Sequence, residues 1–249
     1  MTELERDEFL LWKAAQYEHP NFIETDPISI PHRCKHKEDI EIVGLIMASI
    51  AWGNRKAIIK SGEKLLAIFG ESPYDFVMNF KLDTPVNFVH RTFSGDDLRS
   101  FIVALRGIYE KGGLQASFYK QPSEDHGMRI HHFRNAMLNH FNEPRVQKHI
   151  SNPLANSACK RLNMFLRWMV RSNAKGVDFG LWNNIPKEDL RIPLDVHTGK
   201  TARSLGILQR KQNDWKSSEE LYRHCSVISP EDPAKLDFAL FGLGAFEQF

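Results

Sequence analysis

Apolar residues recur along this chain at three- and four-residue spacing, run after run, and that rhythm admits little besides packed helices. DIEIVGLIMASI (residues 39–50) is apolar almost all round, which predicts a central, buried helix. A break at Trp52-Gly53-Asn54 separates it from a second helix that Gly70 stops. Ser72 and Pro73 open a short third helix, and SGDD at 94–97 is a turn leading into a longer one closed by Gly112-Gly113. Residues 113–141 read as two helices split by a polar linker at 121–127, and further helices are expected at 158–171, at 196–208 and beyond Asp232-Pro233. The chain begins with a helix carrying Leu4, Phe9, Leu10, Trp12 and Lys13, followed by a proline-containing segment, 21–39, expected to be extended or a surface loop. HRTF (90–93) and RIPLDV (191–196) are too short to build a sheet core, so the fold class is all-α.

No Pro/Gly-rich linker isolates two sequence blocks in the 249 residues. The expected organisation is therefore one unit over 1–249 with two helical lobes, 40–150 and 1–39 plus 151–249. Three cysteines, Cys34, Cys159 and Cys225, lack CxxC spacing and leave an odd number, which fits a reduced intracellular protein. The first 19 residues are acidic and then amphipathic, with no basic leader or long apolar stretch, so a cytoplasmic chain without a membrane partner is expected. His126, His131, His132 and His140 form no HExxH pattern, and neither GxGxxG nor GxxxxGK[ST] occurs. No metal and no cofactor is expected.

The net charge of +2 conceals a strong asymmetry. Residues 129–211 hold 15 Lys/Arg against 5 Asp/Glu, while the remainder holds 18 against 26. A polyanion partner accounts for such a segment, and so does an ordinary solvated face.

Within that segment stands Lys160, in SACKRLNMFLRWMVR, and 35 residues later Asp195, in IPLDVHTGKTARSLG. On a helical wheel Leu162, Phe165, Leu166, Met169 and Val170 lie opposite Lys160, with Arg167 and Arg171 beside it. That arrangement suits a cationic cleft and equally an ordinary surface helix. Asp195 precedes a helix, where its carboxylate can cap the His197 or Thr198 N–H and present a second oxygen outward; capping alone is the plainer role. A lysine amine with cationic neighbours is suited to attack an electrophilic sugar carbon and form a Schiff base, and an ionised aspartate stabilises positive charge on that sugar.

Other candidates surround this pair. Trp52, Asn54 and Arg55 sit at the helix break, where they can meet a flipped base and a phosphate or simply build a helix corner. Trp168 borders either cleft or core, and Trp182 either stacks on a base or anchors its loop. His197 can orient a phosphate or the aspartate. Asn156 or Ser157 can cap the lysine helix, and Arg161, Arg167, Arg171, Lys200 and Arg203 are candidate backbone contacts.

Lys160, the run Pro193-Leu194-Asp195-Val196-His197 and the closing LDFALFGLG resemble the helix-hairpin-helix DNA glycosylase superfamily. The long interval between lysine and aspartate is most similar to its archaeal-type 8-oxoguanine glycosylase branch. The whole chain also resembles an uncharacterised bacterial domain-of-unknown-function family related to that superfamily. The resemblance implies a two-lobed helical bundle with a cleft between lobes and, as partner, double-stranded DNA containing a damaged base or abasic site. It further implies base flipping and glycosylase activity coupled to strand cleavage by a monomer, with Lys160 as nucleophile and Asp195 as electrostatic partner, 8-oxoguanine being the first substrate to test. One departure is plain: the superfamily hairpin is glycine-rich, whereas HISNPLANSACK (149–160) has no glycine. Two other functions fit the same residues, a noncatalytic nucleic-acid-binding protein of this fold and a helical protein-interaction scaffold.

Overall fold

The computed structural model describes residues 1–121, 124–141, 143–247 and 249, so Pro122 and Ser123 of the expected 121–127 linker lie outside the described residues. The protein is largely α-helical. Its helices are α1 (Glu3–Tyr17), α2 (Lys37–Ile50), α3 (Arg55–Phe69), α4 (Pro73–Met78), α5 (Gly95–Tyr109), α6 (Gly113–Phe118), α7 (His126–Leu138), α8 (Lys160–Val170), α9 (Val196–Ser204), α10 (Trp215–Ile228) and α11 (Leu236–Phe246). The described strands are a two-residue antiparallel pair, β1 (Val89–His90) and β2 (Phe93–Ser94), in register Val89 to Ser94 and His90 to Phe93. HRTF is thus the tip of a hairpin, and within RIPLDV residues 191–195 belong to no described strand while Val196 already begins α9.

Two compact units divide the chain, residues 23–151 and residues 1–22 with 152–249. In the first, every residue of α2 from Asp39 to Ile50 is buried. Full burial of side chains such as Ile42, Val43, Leu45 and Ile46 contributes roughly 1.5–3 kcal/mol each. Local caps set the boundaries: the Asn54 side chain accepts from the Ala57 N–H, Ser94 and Asp97 form a capping box, and Gly70 ends α3 at φ +71°. Phe118 and Phe133 stack with ring centres 4.0 Å apart, joining α6 to α7.

The segment 21–39 departs from its expected extended form. Pro20, Pro27 and Pro31 each begin a 3-10 turn, because the fixed proline φ suits a helical first position that needs no N–H. Ile28 and Ile30 are buried by these turns, and a Cβ on Gly62 of α3 would meet Ile30 at 2.5 Å. Residues 23–39 therefore fold with α2 and α3 rather than with the terminal segments.

The second unit has its own core, in which Leu10 and Ala14 of α1 meet Leu194, Ala202, Leu208, Leu221, Leu236, Leu240 and Leu243. Glycine makes the tightest approach possible: a Cβ on Gly242 would lie 2.3 Å from the Tyr17 ring, and one on Gly244 2.7 Å from the Thr201 hydroxyl. Lys13 pairs with Glu247 at 2.6 Å, so charge as well as shape joins α1 to the end of α11.

Candidate active site

Lys160 is the first residue of α8, and Asp195 is the N-cap of α9; both are half-buried and both belong to the unit formed by the chain's two ends. Asp195 Oδ1 accepts from the Thr198 N–H at 3.0 Å, which holds the carboxylate, while among the described residues its second oxygen has no protein donor. Lys160 Nζ lies 3.7 Å from Met164 Sδ, one turn along the same helix.

A third residue, not singled out from the sequence, joins these two. Asp237, in the first turn of α11, is buried, and burial pushes its carboxyl up to about 6. The charge of Arg167 opposes that rise, Asp195 adds to it and Lys160 lowers it again. Two residues 35 positions apart therefore act electrostatically on one buried carboxyl, together with the Arg167 guanidinium bonded to it. A visible signal existed in the sequence: Asp237 is the single charge within LDFALFGLGAF.

The polar face of α8 is not solvated. Arg167 and Arg171 are each 3% exposed. Arg171 binds Asp178 at 2.6 Å, Glu18 at 2.7 Å and Asp232 at 2.8 Å, while Arg167 binds Asp237 and pairs with Asp178 at 3.3 Å. Both guanidiniums also cover the Phe238 ring, at 4.5 and 5.3 Å. Burial works against the Arg171 charge, but its carboxylate partners outweigh that and hold its pKa above the ordinary value. The expectation that these arginines reach a nucleic-acid backbone is corrected, since four acidic side chains, Glu18, Asp178, Asp232 and Asp237, face them instead.

Of the three tryptophan candidates, Trp168 and Trp182 are core. Trp168 is fully buried, and Trp182, 1% exposed, meets Phe165 edge-on at 5.4 Å while the backbone N–H groups of Leu181 and Trp182 donate to the Met169 carbonyl. Trp182 thus anchors its loop. Arg203 also turns inward, donating to the Arg210 carbonyl at 2.8 Å, the Gln212 carbonyl at 3.1 Å and Asn213 Oδ1 at 2.7 Å. His197 and Lys200 are exposed on α9, His197 with its ring 6.5 Å from that of Phe241. Arg161 is half-buried, and burial pulls its pKa below the ordinary arginine value.

The glycine-free hairpin still makes tight left-handed turns, at Asn156 (φ +60°) and Cys159 (φ +50°). Neither Asn156 nor Ser157 caps α8: its N-cap is Cys159, which makes no side-chain cap bond, and Ser157 Oγ accepts from the Cys159 N–H at 3.3 Å. Asn156 instead donates to Asp214 at 3.0 Å, leaving the lysine helix to start from a braced turn rather than a capped one.

Trp52, Asn54 and Arg55 belong to the 23–151 unit. Trp52 is half-buried under the Arg91 guanidinium, 4.2 Å from its ring centre, and Asn54 uses its side-chain oxygen as the α3 cap. Arg55 is half-buried at the start of α3. Among the described residues no group of three or more His, Cys, Asp or Glu side chains is arranged to hold a metal ion, and no helix is long and apolar enough to cross a membrane.

Residues 26–246 match the family described as Protein of unknown function (DUF2400), and the chain belongs to it. No curated protein and no solved structure matches the chain.

Proposed function

We propose that this protein is a DNA base-excision glycosylase with an associated strand-cleaving lyase activity, its site lying in a cleft of a two-lobed helix-hairpin-helix fold. What supports the reading is that Lys160 and Asp195, both half-buried, stand at the starts of two helices of one compact unit, where both also act electrostatically on the buried Asp237 carboxyl. The chemistry follows from those groups. The neutral Lys160 amine attacks C1′ of a damaged nucleotide as the bond to the base breaks, the electron pair leaves with the base, and the base takes the proton that the amine releases. Asp195, with one oxygen held by the Thr198 N–H, stabilises positive charge on the sugar during that step. Ring opening gives an imine between Nζ and C1′, and loss of a C2′ proton expels the 3′ phosphate.

The test is a panel of duplexes carrying 8-oxoguanine, uracil, an alkylated purine or an abasic site, incubated with the protein and borohydride. A trapped adduct on at least one duplex is expected, abolished by Lys160→Ala and weakened by Asp195→Asn. Absence of an adduct across the panel removes the lyase reading.

A second reading, nucleic-acid binding without covalent chemistry, is favoured by one feature: Arg167 and Arg171, the cations expected beside the amine, are neutralised by carboxylates. It predicts salt-sensitive binding that survives Lys160→Arg and yields no trapped species.

A further inference from the structure

The helices that begin at Lys160 and Asp195 are joined by two consecutive residues of a third segment, the loop leading into α10. Asn213 Nδ2 donates to the Asp195 carbonyl at 2.8 Å, and its Oδ1 accepts from Arg203 at 2.7 Å. A side chain on Gly199 would fill the space Asn213 occupies, since its Cβ would lie 2.7 Å from Asn213 Oδ1. The next residue, Asp214, faces the opposite way. Its Oδ2 accepts from Asn156 Nδ2 at 3.0 Å, residues 157 and 214 form an antiparallel bridge, and the Trp215 N–H bonds to the Asn156 carbonyl at 3.1 Å. Asp214 is itself held by Arg210 Nε at 2.8 Å and by the Ser217 N–H at 3.0 Å as the α10 cap. Asn156, like Cys159, holds a left-handed φ in a hairpin without glycine, and it lies four positions before Lys160.

We infer that Asn213 and Asp214 are positioning residues, a brace that sets the start of the lysine helix against the aspartate cap. Neither needs to touch substrate. One arm fixes the backbone that aims the Asp195 carboxylate; the other fixes the turn that aims Lys160, and the peptide bond between the two residues transmits the spacing. Arg203 and Arg210 stiffen the arms, which explains why two arginines of the basic segment are turned toward the protein. The inference rests on the reading of Lys160 and Asp195 as the reacting pair, so its test has one arm that does not depend on activity.

Asn213→Asp keeps the shape and removes the donor to the Asp195 carbonyl; Asp214→Asn keeps the shape and removes the charge that Arg210 and Asn156 share. With full-length protein and abasic duplex at saturation, each variant should slow single-turnover borohydride trapping by about tenfold or more, as misplacement of reacting groups does, while the dissociation constant for DNA changes less than twofold. In parallel, amide hydrogen exchange of the unliganded variants should quicken both at 156–163 and at 196–199, although each substitution directly touches only one of those segments. Wild-type trapping rates in both variants, or a rate loss that follows the loss of DNA affinity, overturn the brace. If the wild type traps no substrate, the lyase reading has failed and exchange decides alone: quickening at both segments sustains the brace, and quickening at one segment overturns it.

Discussion

Asp237 shows how a single buried side chain shapes its surroundings. The carboxyl sits at about 6 against an ordinary 3.8, so burial penalises the ionised form more than Arg167 and Lys160 favour it. Between pH about 4 and 6 the folded chain therefore retains a proton that the unfolded chain has released, and the stability due to this group falls as pH rises through that window. Asp237→Asn removes the effect. The difference in unfolding free energy, wild type minus variant, should decline from pH 4 to 6 and then level off, as read from urea midpoints; a difference that is constant or rises across the window is inconsistent with a raised carboxyl. The sequence carried the anomaly openly, as one charge in an apolar helix, but not its partners, because Arg167 lies 70 residues away.

At the level of elements, helix ends were legible because they are local. Ser72, Ser94, Asn54 and Asp195 cap the helices their sequences announce, each within three residues of the N–H it satisfies. α10 has no counterpart among the expected helices: in the mainly polar WKSSEELYRHCSVI only Leu221 and Cys225 are buried apolar side chains, yet its cap carries the brace. The small-residue ending of α11 had a plain packing reading and keeps it. Gly242→Ala would drive a methyl into the Tyr17 ring, which is fixed by stacking on Phe246 at 5.7 Å and by its bond to Glu247. A loss of about 1–3 kcal/mol is expected from such overpacking, measurable by chemical denaturation. An unchanged midpoint would mean that Tyr17 moves aside at no cost.

For the molecule as a whole, the basic segment 129–211 is much less available than its composition suggests. Arg129 is fully buried, Arg145 pairs with Asp97, Arg167 and Arg171 with interior carboxylates, Arg191 with Glu219, and Arg210 with Asp214. Lys175, Lys187, Lys200 and Lys211 remain exposed in the unit that holds Lys160. Under the proposed function, DNA binding should weaken with salt along a log–log slope of about −4, as four phosphate contacts give, rather than the roughly −13 that fifteen would give. A titration of affinity against salt distinguishes the two, and a slope near the larger value would require the ion pairs to open on binding.

What the sequence by itself determined was the helical class, the turns that punctuate it and the order of lysine and aspartate, since each depends on neighbours within a few positions. Tertiary structure decided which charges face inward, buried Asp237 against Arg167, and set Asn213 and Asp214 across the two helix starts. Those outcomes depend on pairs separated by tens of residues. Periodicity registers a charged side chain as polar but carries no information about the distant carboxylate that comes to neutralise it.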